Sequence, residues 1–305
     1  MNRPSPAPRV SRREFLRYGA LAASTIVAPP VLRAAKGPPS PLFTGVGITA
    51  QLERAAVLKA CGADFIVESV ARFLVPDRPD PEFEPWRERA MRSPLPVLGC
   101  NSFLRDPRPR CTGPNADHPR VLAFAETAFR RLRAVGGEYI VFGSNTARQL
   151  PPGWAKGKAD EQFVSLLQAM GPLAARHGIT VAVEAQRASE CNYLNHLPEV
   201  VAVVSAANQP AIRVLADFFH LARMGDTSAD LARAMPWVGV VELAENANRT
   251  LPGVAGDDFR PLFAVLAAAG YSGRMDIEAD GTPEQIRNAF ATIARQVAEM
   301  GQVRR

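Results

Sequence analysis

Residues Trp237–Gly253 read WVGVVELAENANRTLPG. The first seven, Trp237 to Leu243, are apolar enough for a strand covered on both faces, yet Glu242 sits near its end. Glu245, Asn246, Asn248 and Arg249 follow at once, and Pro252-Gly253 turns the chain. A carboxylate in an apolar setting is unfavourable unless something compensates its charge. Stability alone therefore does not explain how this strand ends.

The same ending recurs on either side. Thr180–Glu184 closes with Val181-Ala-Val-Glu184, and Ile212–Asp217 closes with Val214-Leu-Ala-Asp217 before Phe218-Phe219-His220. Arg274–Glu278 closes with Met275-Asp-Ile-Glu278. Upstream, Phe43–Ile48, Asp64–Val67, Pro96–Cys100 and Tyr139–Gly143 have the same short, β-rich character. Helical patterns alternate with them at Gln51–Cys61, Pro81–Arg92, Pro119–Val135, Asp160–His177, Leu197–Ala207, Ser228–Ala234, Asp257–Ala269 and Pro283–Met300. Gly62, Gly136, Gly178 and Gly270 each stand where a helix stops shortly before a strand. Eight strands each followed by a helix predict an α/β fold, a single-domain (β/α)8 TIM barrel. An open doubly wound sheet competes, but no GxGxxG follows the first strand. The long loops Asn101–Pro119 and Asn145–Lys158 both follow strands, which places them at the C-terminal face of a barrel.

The first residues do not share this rhythm. Ser11-Arg12-Arg13-Glu14-Phe15-Leu16 precedes the short apolar run Tyr18–Ala28, Pro29-Pro30 and the small residues Ala34-Ala35. This is the pattern of a twin-arginine export signal, so residues 1–36 are expected to be a leader and Pro-rich linker and residues 37–305 the barrel. The run is too short to span about 30 Å of hydrocarbon, so no stable membrane anchor is expected and the location expected is periplasmic. Residues 1–36 hold seven of the Lys and Arg against Glu14 alone, a net of +6, which is the net charge of the entire 305-residue chain. The remainder is neutral and presents no electrostatic case for nucleic acid. Cys61, Cys100, Cys111 and Cys191 show no metal-knuckle spacing. Export would permit a Cys100–Cys111 pair, but folding in a reducing cytoplasm beforehand weighs against it. Oligomeric state is not written in the sequence, and a homo-oligomer stays open.

In a barrel the last four strands are neighbours, so Glu184, Asp217, Glu242 and Glu278 converge at one rim. Carboxylates that close raise one another's pKa. A divalent cation with oxygen ligands resolves the conflict. Taken singly, a Glu at a strand end is more often a solvated rim residue, and a lone His220 a structural histidine. Four acids at matching positions on successive strands carry the argument.

The segments VAVEAQRASECNYLN, VLADFFHLAR, VVELAENANRTLPG and MDIEAD together resemble the xylose isomerase-like superfamily of sugar isomerases and epimerases, which includes D-tagatose 3-epimerase and hydroxypyruvate isomerase. The first half is similar only in its strand–helix rhythm. The resemblance implies one divalent metal ion, often Mn2+ with Mg2+ or another ion as alternatives, held by Glu184, Asp217, the residue at 242 and Glu278. It also implies that Glu184 and Glu278 transfer protons, and that Glu190, His220 and Arg249 contact oxygens of a carbohydrate substrate. Glu242 departs from the pattern, since relatives usually carry His or Gln there. A fourth acid requires either that one carboxylate hold a proton or that position 242 not ligate.

Independently of the resemblance, paired carboxylates suit removal of a proton beside a carbonyl and its return on the other face, through a metal-stabilised enediolate. A sugar isomerase or epimerase is the first expectation. A 3-keto-glycoside lyase or hydrolase would use the same groups, and a non-catalytic carbohydrate-binding barrel would not need two opposed acids. Apurinic endonucleases resemble the superfamily through several histidine zinc ligands, whereas this chain has only His118, His177, His196 and His220.

Overall fold

In the computed structural model, which describes residues 42–104 and 109–303, eight parallel strands pair in sequence order and close into a barrel. They are β1 (Gly45–Thr49), β2 (Ile66–Ser69), β3 (Val97–Asn101), β4 (Tyr139–Phe142), β5 (Thr180–Glu184), β6 (Ile212–Asp217), β7 (Val238–Leu243) and β8 (Arg274–Ile277). The helices between them are α1 (Ala55–Cys61), α2 (Asp80–Met91), α3 (His118–Ala134), α4 (Asn145–Arg148), α5 (Lys156–His177), α6 (Leu197–Ala207), α7 (Phe218–Met224), α8 (Ser228–Ala234), α9 (Arg260–Ala268) and α10 (Pro283–Val303). The expected leader, residues 1–36, lies outside the described residues.

Inward-facing side chains fill the barrel: Phe65, Val67, Tyr139, Val141, Ala182, Leu215 and Val240 form one buried layer. Two rings this large fit because glycines face them. A Cβ on Gly47 would lie 2.3 Å from the Phe65 ring, and one on Gly99 2.4 Å from that of Tyr139. A second apolar layer joins strands to helices, with Phe103, Phe129, Phe142 and Phe163 in successive ring contacts. Each such ring contributes roughly 1.5–3 kcal/mol on burial.

The seam of the barrel is β1 against β8, Gly45–Ile48 alongside Arg274–Ile277. On the other side of β8, Glu242 of β7 stands level with both Asp217 of β6 and Asp276 of β8. The register of β6 against β7 shifts between Val214 and Leu215.

The structure departs from the sequence reading in three informative places. Helix α7 was not expected; it starts because the Asp217 carboxylate accepts the Phe219 N–H at 2.9 Å and caps it. Helix α9 begins at Arg260 and not at Asp257, because the N–H groups of Gly253, Ala255, Gly256 and Asp257 all donate to the Glu245 carboxylate. Strand β8 stops at Ile277, although the Glu278 N–H still reaches the Leu243 carbonyl at 3.1 Å. Cys100 and Cys111 do not pair: all four cysteines are free and buried, Cys100 inside β3 and Cys111 in the loop beyond it. Among the described residues no helix is long and apolar enough to cross a membrane.

Candidate functional site

Parallel strands present their C-terminal ends at one rim, and the acids meet there. One oxygen each from Glu184, Asp217, Glu242 and Glu278 lies within 4.8 Å of the others. Glu184, Asp217 and His220 form an overlapping group by the same measure. Above them opens a cavity of about 290 Å3, lined by Asn101, Ser102, Gly143, Ser144, Asn145, Gln186, Glu190, His220 and Arg249 together with Glu184 and Glu278. All seven residues expected from the sequence are therefore brought together. Asp217 and Glu242 sit beneath the cavity, not on its wall.

Arg249 closes the cluster from the loop after β7. Its Nη2 donates to Asp217 Oδ2 at 3.2 Å and to Glu278 Oε2, and its guanidinium lies 4.8 Å from the Phe219 ring centre. Asn248 and Arg249 have φ of 57° and 54°, a left-handed backbone that non-glycine residues adopt at some energetic cost. Glu245 maintains it. That fully buried carboxylate accepts from the four main-chain N–H groups beyond it and from the Thr250 hydroxyl at 2.9 Å. Glu190 pairs with Arg187 at 2.6 Å and places its other oxygen 3.8 Å from His220.

His220 is buried, with Nε2 3.3 Å from Glu184 Oε1 and 3.5 Å from Asp217 Oδ2. Its Nδ1 accepts the Arg187 N–H at 3.2 Å, which places the neutral ring's proton on Nε2, toward the acids. Burial lowers the imidazole pKa, but Asp217 and Glu184 outweigh it and raise it to about 8. The Arg187 N–H opposes that second proton.

The four acids differ in their electrostatics. Burial drives the Glu242 pKa well above its ordinary value, and repulsion from Asp276, Glu278, Glu184 and Asp217 adds to this. Burial, with Glu184, Asp217 and Asp276, pushes Glu278 up to about 8 against the pull of Arg249. Asp217 is raised, chiefly by burial. Burial also penalises charge on Glu184, but His220, Arg249 and Arg148 prevail and hold its pKa below the ordinary value.

Among the described residues no donor reaches either oxygen of Glu242, and both are buried. Its register partner Asp276 faces it closely enough for a hydrogen bond only if one of the two carries a proton. Two orphaned oxygens within a four-acid cluster fit a divalent cation, and an all-oxygen donor set suits hard ions.

Four contributors were missed from sequence. Asp276 accepts the Tyr139 hydroxyl at 2.7 Å and is pushed up to about 7, mainly by burial. It lies two residues before Glu278, so strand alternation already placed it on the same face. Gln186 lies two residues after Glu184, just beyond the end of β5. Asn101, at the end of β3, donates to Glu278 Oε1 at 3.2 Å. Arg148, fully buried behind Glu184, had no signal at all.

Residues 55–296 match the family described as xylose isomerase-like TIM barrel. No curated protein sequence matches the chain. Among solved structures it is similar to 3-keto-D-glucoside 4-epimerase from E. coli in its apo form, at 22% identity and TM-score 0.68, covering 82% of this chain and 99% of that one. It is also similar to D-psicose 3-epimerase in the presence of D-fructose, at 19% identity and TM-score 0.69, covering 83% and 99%. The IolI protein with a zinc atom bound gives 15% identity and TM-score 0.67, covering 84% and 99%. At these identities the likeness establishes the fold.

Proposed function

Because the chain belongs to the xylose isomerase-like TIM barrel family, we propose that it is a sugar isomerase or epimerase in which Glu184 and Glu278 exchange a proton with carbon beside a carbonyl. One observation carries this reading. Of the four converging acids only Glu184 and Glu278 also line the cavity, so two groups serve to hold charge and two to hold charge and touch substrate. Their environments differ: Glu184 is held toward the ionised form and Glu278 toward the protonated one, and a bound cation would ionise both.

Glu184, Asp217, Glu242 and Glu278 would hold one divalent cation, Mn2+ in our reading, with Mg2+ as the nearest alternative for oxygen donors. When bound, that ion supplies positive charge against the negative charge developing on the substrate oxygens. Asn101 holds Glu278 from the β3 side. Glu190, His220 and Arg249, all on the cavity wall, would take substrate hydroxyls. A keto-sugar or ketose fits this arrangement, and two of the similar structures are epimerases of that kind by name. Arg12-Arg13 and the apolar run after them support a twin-arginine leader and a periplasmic location.

Residues 37–305, supplied with Mn2+ and offered ketoses and 3-keto-glycosides in D2O, should place deuterium at the carbon beside the carbonyl, read by NMR. Glu184→Gln and Glu278→Gln should each lower that rate at least about 10²-fold. Exchange within a few-fold of wild type in both variants would remove the pair from the mechanism. Expulsion of a β-substituent in place of epimerisation would make the protein a lyase working through the same acids.

A further inference from the structure

Arg148, the last residue of α4, is fully buried, and among the described residues no carboxylate comes within salt-bridge range of its guanidinium. A buried cation with no carboxylate in contact is unfavourable unless hydrogen bonds satisfy it. Its donors go to one place. Nη1 donates to the main-chain carbonyl of Glu184 at 3.0 Å, and Nη2 donates to Gln186 Oε1 at 3.1 Å. Among the described residues Nε has no partner, and the Phe163 ring lies 5.9 Å away.

The second bond has a direction built into it. A guanidinium only donates, so it fixes the oxygen end of the Gln186 amide toward itself and turns the NH2 end the other way. That NH2 faces Glu184 Oε2 at 3.5 Å. The carboxylate then lies against the Cα of Gly143: a Cβ there would come within 2.2 Å of Glu184 Oε2 and 2.7 Å of Gln186 Nε2. Behind Arg148, α4 is itself clamped. The Cys111 N–H donates to the Ala147 carbonyl at 2.8 Å, and the Thr112 hydroxyl to the Arg148 carbonyl at 3.0 Å.

We infer that Arg148 is a positioning residue: by polarising the Gln186 amide and holding the end of β5, it sets the direction in which the Glu184 carboxylate points into the acid cluster. This rests on the role proposed for Glu184. Support of this kind behind a ligand is typically worth 10–100-fold in metal affinity, on the order of magnitude.

The test replaces Arg148 by Met, which keeps length without a donor, and by Lys, which keeps a donor for Gln186. Crystal structures of wild type and Arg148→Met should show the Glu184 carboxylate turned from Gly143 while the β5 main chain stays in place. Titration with Co2+ should give a dissociation constant raised about 10–100-fold and an altered absorption spectrum of the bound ion. Arg148→Lys should recover part of the affinity. An unmoved Glu184 with an unchanged Co2+ spectrum overturns the inference, and so does a Lys variant that recovers nothing. Should Arg148→Met fail to fold, Gln186→Leu breaks the same link and is read in the same two ways. If wild type itself binds no Co2+, the proposed metal site fails, while the Glu184 conformation in the crystal structures still decides the positioning.

Discussion

Replacing Glu242 by Gln should make the metal-free protein more stable. Glu242 is fully buried, no donor reaches its oxygens, and its pKa is driven well above the ordinary carboxylate value. The fold therefore favours its protonated form more than the unfolded chain does, and this preference becomes a cost once the unfolded carboxyl ionises. Burying its oxygens without a donor costs about 1–3 kcal/mol. Glutamine needs no proton, and its NH2 can donate to Asp217 or Asp276, which flank it in register. In a domain of this size the gain corresponds to about 2–6 °C in Tm. Because the folded pKa is raised, the penalty on wild type grows as pH climbs from the unfolded pKa toward the folded one. The advantage of Glu242→Gln should thus be small at pH 5 and large at pH 7. Thermal melts of residues 37–305 in chelator at both pH values measure it. Added Mn2+ should reverse the order, raising the Tm of wild type by more than that of the variant. A variant no more stable than wild type at pH 7 in chelator would refute the reasoning, since Glu242 would then be ionised and satisfied.

Binding of Mn2+ should release protons, because Asp276 near 7 and Glu278 near 8 titrate in the working range. Affinity should rise from pH 6 to pH 8, by up to about 100-fold per pH unit where two protons leave, and calorimetry in two buffers of different ionisation enthalpy would count them. Glu245→Gln should lower stability by about 1.5–3 kcal/mol, the worth of a hydrogen bond to a charged group, read by denaturant melts, and should weaken substrate binding by loosening Arg249. Burial opposes charge on Glu245, but the main-chain N–H groups hold its pKa below the ordinary value, so this difference should be full above about pH 5 and vanish as pH falls through the folded pKa. Gly99→Ala should destabilise by about 1–3 kcal/mol through overpacking against Tyr139, read by denaturant melts. Changing Arg12 and Arg13 together to Lys should leave full-length protein in the cytoplasm; a normal periplasmic yield would dismiss the proposed leader.

The barrel was legible because its signals are local: β-branched runs, helix-stopping glycines, and a period that switches with each element. The four acids were legible because they end successive strands. Asp276 was equally available, but an aspartate inside a strand attracts less notice than one at its end. Helix α7 escaped because Asp217 performs two tasks, capping with one oxygen and facing Arg249 with the other. Arg148 lay beyond reach for a different reason. Its partners are 36 and 38 residues away, and no local pattern marks an arginine that will be buried without an acid. The late start of α9 likewise depends on Glu245 drawing the main chain toward itself, a tertiary effect.

The seam of the barrel has a consequence for the order in which the molecule assembles. The Thr44 hydroxyl bonds the Gly273 carbonyl across 229 residues of chain, and β1 can find β8 only when nearly all of the polypeptide exists. Contacts so distant along the chain are slow to form. Asp276 lies on that last strand and Glu278 follows it directly. Glu184, Asp217 and Glu242 come together as β5, β6 and β7 pair, whereas Asp276 and Glu278 join only with the strand that also shuts the ring. A nascent chain halted before Arg274 would expose the unpaired edges of β1 and β7 and would lack both a closed barrel and the fourth acid of the cluster.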